Sequence, residues 1–205
     1  NPTAETLPAG PSSIQRSGAL ATTLSSSVSF LTAGATTPIV STRGHFDRTT
    51  GILLPPEGST TYDITPDVPG LAAGHCTSEV VVYVHGFLDD QPTAIANFNL
   101  VKRSLAFDGY NHPVIGFTWD SNVHLADWYV AKAIAEKNGP KLAQFLADFK
   151  QACPGTVVRL IGHSLGSRVI LTALDTLEFD ETWKTHGFKI ESVDLLGAAI
   201  PNQFL

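Results

Sequence analysis

The sequence has 205 residues, of which 43% are hydrophobic and 16% charged, and this composition predicts a globular domain rather than a disordered chain. The formal net charge of −6 argues against a nucleic-acid partner. No apolar run in the sequence approaches the roughly 20 residues that a transmembrane helix requires, so we expect no membrane span.

The N-terminal segment indicates a processed and exported protein. The chain starts at Asn1 and contains no methionine, so we interpret its start as the product of an upstream cleavage. Residues 1–36 show weak periodicity and are predicted to form an N-terminal arm. The richness of residues 1–29 in Ala, Thr, Ser, Gly and Pro is typical of the tail that follows an export signal. We therefore expect a secreted protein; the alternative is an artificial start of the chain.

From residue 37 onward the sequence alternates between strand and helix patterns. In chain order the predicted elements are a strand at 37–43, turns at 51–74, a strand at 79–85, a helix at 91–107, a strand at 113–118, a helix at 126–152, a strand at 156–162, a helix at 165–177 and a strand at 188–196. The run EVVVYVH at 79–85 is typical of a buried parallel strand. Asp90 or Thr93 is the expected N-cap of the first helix. We expect Gly139-Pro140 to break the second helix into two pieces.

This alternation predicts a single α/β domain over residues 37–205. Each strand–helix–strand unit has the form of a parallel β-α-β crossover, so we expect a mostly parallel sheet with helices on both faces. Ligands bind to such a sheet at the carboxyl ends of its strands. The residues that directly follow a strand are therefore the candidates for a functional site.

The central motif lies between the third buried strand and the helix that follows it. Gly162-His163-Ser164-Leu165-Gly166 matches the pattern G-x-S-x-G. In this context the pattern predicts a nucleophile elbow, a sharp turn that lifts the serine hydroxyl above the sheet. The glycines are required because the turn strains the backbone and brings strand and helix close together. Ser164 is therefore the candidate nucleophile, and His163 is expected to pack beside it.

A second motif, His85-Gly86-Phe87, stands at the end of the strand at 79–85. Acyl transfer requires two backbone N–H groups that stabilise an oxyanion. We expect one from Leu165, which follows the nucleophile, and the other from Phe87. The helix that begins near Leu165 adds the partial positive charge of its N-terminus. The alternative for His85-Gly86 is a tight turn with a packed imidazole.

Two cysteines, Cys76 and Cys153, each lie three residues before an apolar run. If the two runs are neighbouring parallel strands, both cysteines lie at the same end of the sheet, where their α-carbons can approach to the roughly 4.4–6.8 Å that a disulfide needs. Such a bridge fits an oxidising compartment. Two buried free thiols are the alternative.

Several polar and aromatic residues are expected near the site. Asp120 is either a substituted catalytic acid, or a group that caps the next helix or binds loop backbone. Trp119, Trp128 and Tyr129 either line an apolar acyl pocket or pack in the core or at its rim. No pair or cluster has convincing metal-ligand spacing, so we predict no metal and no cofactor.

These motifs resemble the α/β-hydrolase superfamily, in its lipase/esterase-like branch, and are similar to those of secreted hydrolases of halophilic archaea. The segments that carry the resemblance are STRGHF, VVYVHGF, VIGFTWDS, VRLIGHSLGSRV and VDLLGAAI, which span roughly residues 38–200. The resemblance implies that residues 37–205 are the N-terminal part of an α/β-hydrolase domain. It also implies a Ser-His-Asp or Ser-His-Glu triad and a carboxylic-ester substrate, such as a lipid or acyl ester.

The sequence departs from this family in its histidines. In the fold the nucleophile precedes the acid, and the acid precedes the histidine. The one histidine after Ser164 is His186, in a loop that we expect at the opposite end of the sheet. We therefore expect the base and its acid on a companion C-terminal chain of the same precursor, separated by cleavage after Leu205. The alternatives are a fragment, or an inactive homologue that serves as a binding or structural module.

Overall fold

A computed structural model of the protein describes residues 37–200. Its strands are β1 (Ile39–Ser41), β2 (Asp63–Ile64), β3 (Glu79–Val84), β4 (Val114–Thr118), β5 (Val157–His163) and β6 (Ser192–Leu196). Its helices are α1 (Gln91–Phe107), α2 (Trp128–Ala152), α3 (Leu165–Glu178) and α4 (Glu181–Thr185). The arm predicted for residues 1–36 and the segment 201–205 lie outside the described residues.

The strands form one sheet in the order β2-β1-β4-β3-β5-β6. The β2 strand is antiparallel to β1, and the other neighbouring pairs are parallel. The mostly parallel sheet expected from the sequence is therefore confirmed. The β3–β5 register pairs Val84 with Gly162. Because the two strands end at the same level, the residues that follow them, including His85 and Ser164, emerge at one edge of the sheet.

Helices cover both faces of this sheet because successive strand side chains point in opposite directions. In β3 one alternating set, Val80, Val82 and Val84, belongs to the core cluster that contains residues of α2 and α3. The other set, Val81 and Tyr83, belongs to a second cluster with residues of α1. Full burial of one such side chain contributes about 1.5–3 kcal/mol, so the two clusters hold the strand ends firmly.

The predicted break in the second helix is wrong, because α2 runs without interruption past Pro140. The proline removes one backbone donor and costs about 3 kcal/mol in a helix interior. Burial of large side chains along α2, such as Ile134, Leu142 and Phe145, outweighs this cost. Gly139 does not interrupt the helix; it allows α2 to pack closely against α3. A Cβ there would lie 2.5 Å from the Cβ of Thr172, so the glycine lets α2 and α3 approach closely.

The last strand is shorter than predicted, since β6 begins at Ser192 rather than at residue 188. The apolar signal at Phe188 comes from packing: its ring lies edge-on to Trp183, with centroids 5.6 Å apart. Trp183 belongs to the short helix α4, which the sequence analysis did not predict. Asp180 caps this helix by accepting a hydrogen bond from the Trp183 N–H.

A disulfide joins Cys76 and Cys153, with their α-carbons 5.6 Å apart. The prediction of a bridge is confirmed, and the alternative of two free thiols is wrong. The cysteines meet because one precedes β3 and the other precedes β5, and these strands are parallel neighbours. The bridge links residues 77 positions apart, which in the chain-entropy treatment stabilises the fold by about 4.5 kcal/mol.

No helix within residues 37–200 is long and apolar enough to cross a membrane.

Candidate active site

Ser164 occupies a sharp turn between β5 and α3, at the carboxyl edge of the sheet. Its backbone has φ of 52° and ψ of −120°, a left-handed conformation that costs a residue with a side chain on the order of 1–3 kcal/mol. Three backbone hydrogen bonds hold the strained residue. Its N–H donates to Leu196 O at 2.9 Å, and its carbonyl accepts from the N–H groups of Ser167 at 3.1 Å and Ala199 at 3.2 Å. Ser164 is partly exposed. This is the geometry of a nucleophile elbow.

The two glycines of the motif have the steric role that the sequence predicted. A Cβ at Gly162 would lie 2.9 Å from the backbone nitrogen of Ser167, and a Cβ at Gly166 would lie 2.6 Å from the carbonyl oxygen of His85. Both contacts involve backbone atoms, which cannot rotate away. The glycines therefore let α3 begin directly against the ends of β3 and β5.

Gly86 brings the second motif against the elbow. A Cβ on Gly86 would lie 3.1 Å from the Cβ of Ser164 and 2.8 Å from Nδ1 of His163. The backbone after β3 therefore touches the nucleophile turn, as an oxyanion loop must. His163 itself is exposed, so its predicted packing role is limited to the Gly86 side of its ring.

The two predicted oxyanion donors, Phe87 and Leu165, are both adjacent to this contact. Leu165 is the first residue of α3, so its N–H belongs to the set that has no acceptor inside the helix. The hydrogen bonds found among residues 37–200 include none that is donated by the N–H of Phe87 or Leu165. The side chain of Leu165 is buried. The group of Leu165 that can donate a hydrogen bond to a ligand is therefore its backbone N–H.

His85 is fully buried and lies behind this loop rather than in it. Its Nε2 accepts from the Trp119 N–H at 3.2 Å, and its Nδ1 lies 3.0 Å from Gly86 O. Burial first, and then the positive charge of Arg43, lower the pKa of His85 to about 3. A group of such weak basicity, with both ring nitrogens engaged, is not a general base. His85 is therefore a packed imidazole, which was the alternative expected from the sequence. Its hydrogen bond to Gly86 O also supports the loop.

Asp89 follows the loop and is half-buried. Burial raises the pKa of its carboxyl group, although a hydrogen bond from Asn97 at 3.0 Å and the nearby charges of His163 and Arg43 act in the opposite direction. The side chain thus lies among polar groups on the α1 side of the elbow.

The described part of the chain holds no histidine hydrogen-bonded to the hydroxyl of Ser164. The sequence has seven histidines, and all of them lie within residues 37–200. Three of them precede strands and so lie toward the amino edge, opposite Ser164: His75, His112 and His186. As expected from the sequence, His186 is remote from the candidate nucleophile, and its Nδ1 bonds Thr182 O at 2.8 Å.

Asp120 has a structural role. Its two carboxylate oxygens accept hydrogen bonds from the backbone N–H groups of Gly44 and Phe46, each at 3.0 Å, and the residue is 5% exposed. Of the interpretations of Asp120, binding to loop backbone therefore agrees with the structure, whereas the cap of the next helix, α2, is Asp127. The carboxylate fixes the turn that follows β1.

The three aromatic residues weighed in the sequence analysis separate into different environments. Trp119 is fully buried, and its indole N–H donates to His85 O at 3.0 Å, so it is a core residue. Trp128 packs edge-on against Phe87 with ring centroids 5.2 Å apart. Tyr129, next to it, is 81% exposed. Trp128 and Tyr129 thus lie at the rim of the site, and Trp119 lies beneath it.

Sequence reasoning missed Arg43. The residue lies in the segment STRGHF, which carried part of the family resemblance, but no role was assigned to it. Its Nη2 contacts Nε2 of His85 at 3.2 Å and donates to Asp89 O at 2.8 Å. The partners are more than forty positions away in sequence, so no local pattern could have indicated them.

Within residues 37–200 no group of three or more His, Cys, Asp or Glu side chains is arranged to hold a metal ion.

A strand–elbow–helix turn at the carboxyl edge of a mostly parallel, helix-covered sheet defines the class of α/β-hydrolase folds. Comparison with known families agrees. The chain belongs to a family described as "Alpha/beta hydrolase of unknown function (DUF900)", whose model matches residues 72–200. No curated protein and no solved structure matches the chain.

Proposed function

We propose that the protein is a serine hydrolase that acts on carboxylic esters, with Ser164 as its nucleophile. The observation that carries the proposal is the backbone of Ser164, which is held at φ of 52° on the first turn of a helix. Strain of this kind in a residue other than glycine persists only where the surroundings impose it, and it clusters at functional sites.

The proposed reaction is a two-step acyl transfer. Ser164 Oγ attacks the ester carbonyl carbon while its proton passes to a histidine, and the tetrahedral oxyanion is stabilised by the N–H groups of Phe87 and Leu165. The histidinium then gives this proton to the departing alcohol, which leaves an acyl-serine. A water molecule, deprotonated by the same histidine, attacks the acyl-serine; the histidinium then returns this proton to Ser164 Oγ as the carboxylic acid leaves, which restores free Ser164.

We propose that the histidine and its acid come from a segment outside residues 37–200, on a companion C-terminal chain of the same precursor. The position of β6 supports this. Among residues 37–200 it is the last strand in the sheet order, so one side of its backbone pairs with no strand of this part of the chain. Leu196 on β6 is 50% exposed. The chain that leaves β6 bonds directly to the elbow through Ala199. A further strand added beside β6 would end close to Ser164.

An exposed apolar rim at the carboxyl edge supports a lipid or acyl ester as the substrate. We use the name apolar rim for five exposed side chains that follow strands or end one: Leu88, Leu125, Trp128, Tyr129 and Leu196. Exposed apolar groups gathered on one edge favour the binding of an apolar ligand, and the amphipathic rings of tryptophan and tyrosine suit a partner that is apolar with a polar end.

We also propose that the protein works outside the cell. The support is the disulfide between Cys76, which is exposed, and Cys153, since such bridges persist in oxidising compartments. The likeness to secreted hydrolases of halophilic archaea stays a prediction.

The rival function is a binding or structural module that has kept the elbow and lost catalysis. It is favoured by one observation, namely that no histidine within residues 37–200 is bonded to the hydroxyl of Ser164. Fold membership does not decide between these two, because hydrolase folds serve both.

Labelling with a fluorophosphonate distinguishes the two functions. We expect intact-mass analysis of the purified protein to show one adduct on the wild type, none on Ser164→Ala, and an unchanged adduct on the control Ser78→Ala, whose serine is exposed and lies before β3. A co-purifying second polypeptide would identify the companion chain. Absence of label and of turnover on p-nitrophenyl esters of short and long acyl chains would support the binding module instead.

A further inference from the structure

The peptide bond between Gly86 and Phe87 carries one of the two donors on which the proposed function rests. Its carbonyl oxygen lies 3.0 Å from Nδ1 of His85. The only cis peptide among residues 37–200 joins Pro55 and Pro56, so this peptide is trans. In a trans peptide the C=O and the N–H point in opposite directions. When His85 binds the carbonyl, the Phe87 N–H is therefore turned away from the buried imidazole.

The hydrogen bonds around His85 fix which ring nitrogen carries its proton. Nε2 faces the backbone N–H of Trp119 at 3.2 Å and the guanidinium Nη2 of Arg43, also at 3.2 Å. Neither group can accept a hydrogen bond. The third neighbour of Nε2 is the Thr118 hydroxyl at 3.1 Å, which already accepts from Nε of Arg43 and has its own proton to donate to Nε2. On Nδ1 the neighbour is Gly86 O, which can only accept. We therefore assign the unprotonated nitrogen to Nε2 and the proton of the neutral ring to Nδ1, where it is donated to Gly86 O.

Arg43 connects both ends of this turn to the neighbouring strand. Besides Nε2 of His85, its Nη2 binds the carbonyl of Asp89 at 2.8 Å, and its Nε donates to Thr118 Oγ1 of β4 at 2.6 Å. The turn from His85 to Asp89 is thus held at its first and last residues by one planar cation. A rigid fork of donors of this kind cannot be reproduced by a lysine.

We propose that Arg43 is a positioning residue for the proposed hydrolysis: acting through His85, it orients the Gly86–Phe87 peptide so that the Phe87 N–H faces the oxyanion. The chain of hydrogen bonds from Arg43 through the imidazole to Gly86 O also polarises the peptide, and this makes its N–H a stronger donor. Arg43 touches no substrate, and its effect is confined to the geometry and strength of this donor.

Three variants test the proposal in the intact protein, together with any chain that co-purifies with it. Arg43→Met removes all the donors at similar length, and Arg43→Lys keeps the charge but not the fork. Arg48→Met is the control, because Arg48 is exposed on the same loop and makes one long bond, 3.3 Å, to Asn122 O. The readouts are kcat and KM for p-nitrophenyl butyrate, and the ¹⁵N NMR signals of the His85 ring and the Phe87 amide.

We expect Arg43→Met to lower kcat by about 10- to 100-fold with KM within about twofold of wild type, because loss of a whole oxyanion donor costs about 10²–10³ in kcat. Arg43→Lys should recover only part of this loss, and Arg48→Met should match the wild type. In Arg43→Met the Phe87 amide and His85 ring signals should shift. A variant that merely unfolds would instead lose the dispersed signals of the whole domain.

Failure of this inference is distinguishable from failure of the proposed function. If the wild type hydrolyses esters and Arg43→Met keeps its kcat, the positioning role is refuted, whatever the NMR signals show. If the wild type hydrolyses no ester, the serine hydrolase proposal fails, and the NMR signals then test whether Arg43 positions the Gly86–Phe87 peptide. Unchanged Phe87 and His85 signals in Arg43→Met would then refute the positioning, and shifted signals would support it.

Discussion

Replacement of Gly166 by alanine tests how the elbow is packed. A Cβ at this position would overlap the carbonyl oxygen of Val84 and lie 2.6 Å from that of His85. The first oxygen belongs to the last residue of β3, a strand that is paired on both sides, and the second belongs to the residue that directly follows it. A backbone held in this way cannot yield as a side chain would. The first turn of α3 therefore has to move outward, by roughly half an ångström or more, to restore ordinary contact.

The size of the effect follows from the rigidity of both surfaces. Overpacking costs about 1–3 kcal/mol, and more where backbone must shift, so we expect Gly166→Ala to lose about 3 kcal/mol of unfolding free energy. For a chain of this length each kcal/mol lowers Tm by about 2–4 °C, which gives a fall of about 6–12 °C. Because the N–H of Leu165 moves with the helix, labelling of Ser164 by a fluorophosphonate should slow by about tenfold or more.

Thermal melts followed by circular dichroism, with labelling rates measured in parallel, provide the assay. The matched control is Gly155→Ala, since a Cβ at Gly155 would have no atom within 4 Å. We expect this control to melt and label as the wild type does. If Gly166→Ala melts within about 2 °C of the wild type, less than the shift for 1 kcal/mol, and labels at an equal rate, the close contact between α3 and β3 is wrong.

Three further outcomes can be measured by urea unfolding. Reduction of the Cys76–Cys153 bridge with dithiothreitol should remove about 4.5 kcal/mol, because the bridge joins residues 77 positions apart; an unchanged midpoint would contradict this. Asp120→Asn should cost about 2 kcal/mol, because its amide N–H₂ would face a backbone N–H, while the exposed Asp108→Asn should be neutral. The pKa of His85 in the folded protein is about 3, below its ordinary value of 6.5. Between pH 6.5 and pH 3 the unfolded chain therefore binds a proton on this residue that the native state does not bind, so the native state loses stability as the pH falls. The stability difference between wild type and His85→Asn should therefore shrink, by up to about 1.4 kcal/mol per pH unit, from pH 6.5 toward 3; parallel pH profiles would refute the burial of a neutral imidazole.

Local patterns predicted most of the elements because the signals that form them are local. Helix α1 has the bounds predicted from its spacing of apolar residues, and Asp90, one of two candidates, is its N-cap, accepting from the Thr93 N–H. The elbow was also predictable, since a G-x-S-x-G pattern between a buried strand and a helix leaves the backbone few alternatives. The disulfide followed from the same reasoning, because parallel strands place the residues before them at one edge.

Errors arose where tertiary packing outweighs a local preference. Pro140 has a strong preference against helix interiors, but the buried face of α2 overrides it. Phe188 was predicted to belong to a strand because it is apolar. In the structure its ring packs on Trp183, and β6 begins four residues later at Ser192. Trp119 and Tyr129 are both aromatic residues that follow β4 in the chain, and no local pattern distinguishes their environments. The fold places Trp119 in the core and Tyr129 at the exposed rim.

The class of fold and the position of the strained serine could be inferred from the sequence alone, because each depends on patterns of residues that are neighbours in the chain. The assignment of Phe87 and Leu165 as oxyanion donors stays a prediction. The order of the strands and the side chains that support the turn after β3 could be learned from the fold but not from local patterns. Arg43, His85 and Thr118 lie on three different segments, and hydrogen bonds bring them together at the carboxyl edge of the sheet. Contacts between such distant residues leave no periodicity in a single sequence, since they are set by how strands pair and helices pack.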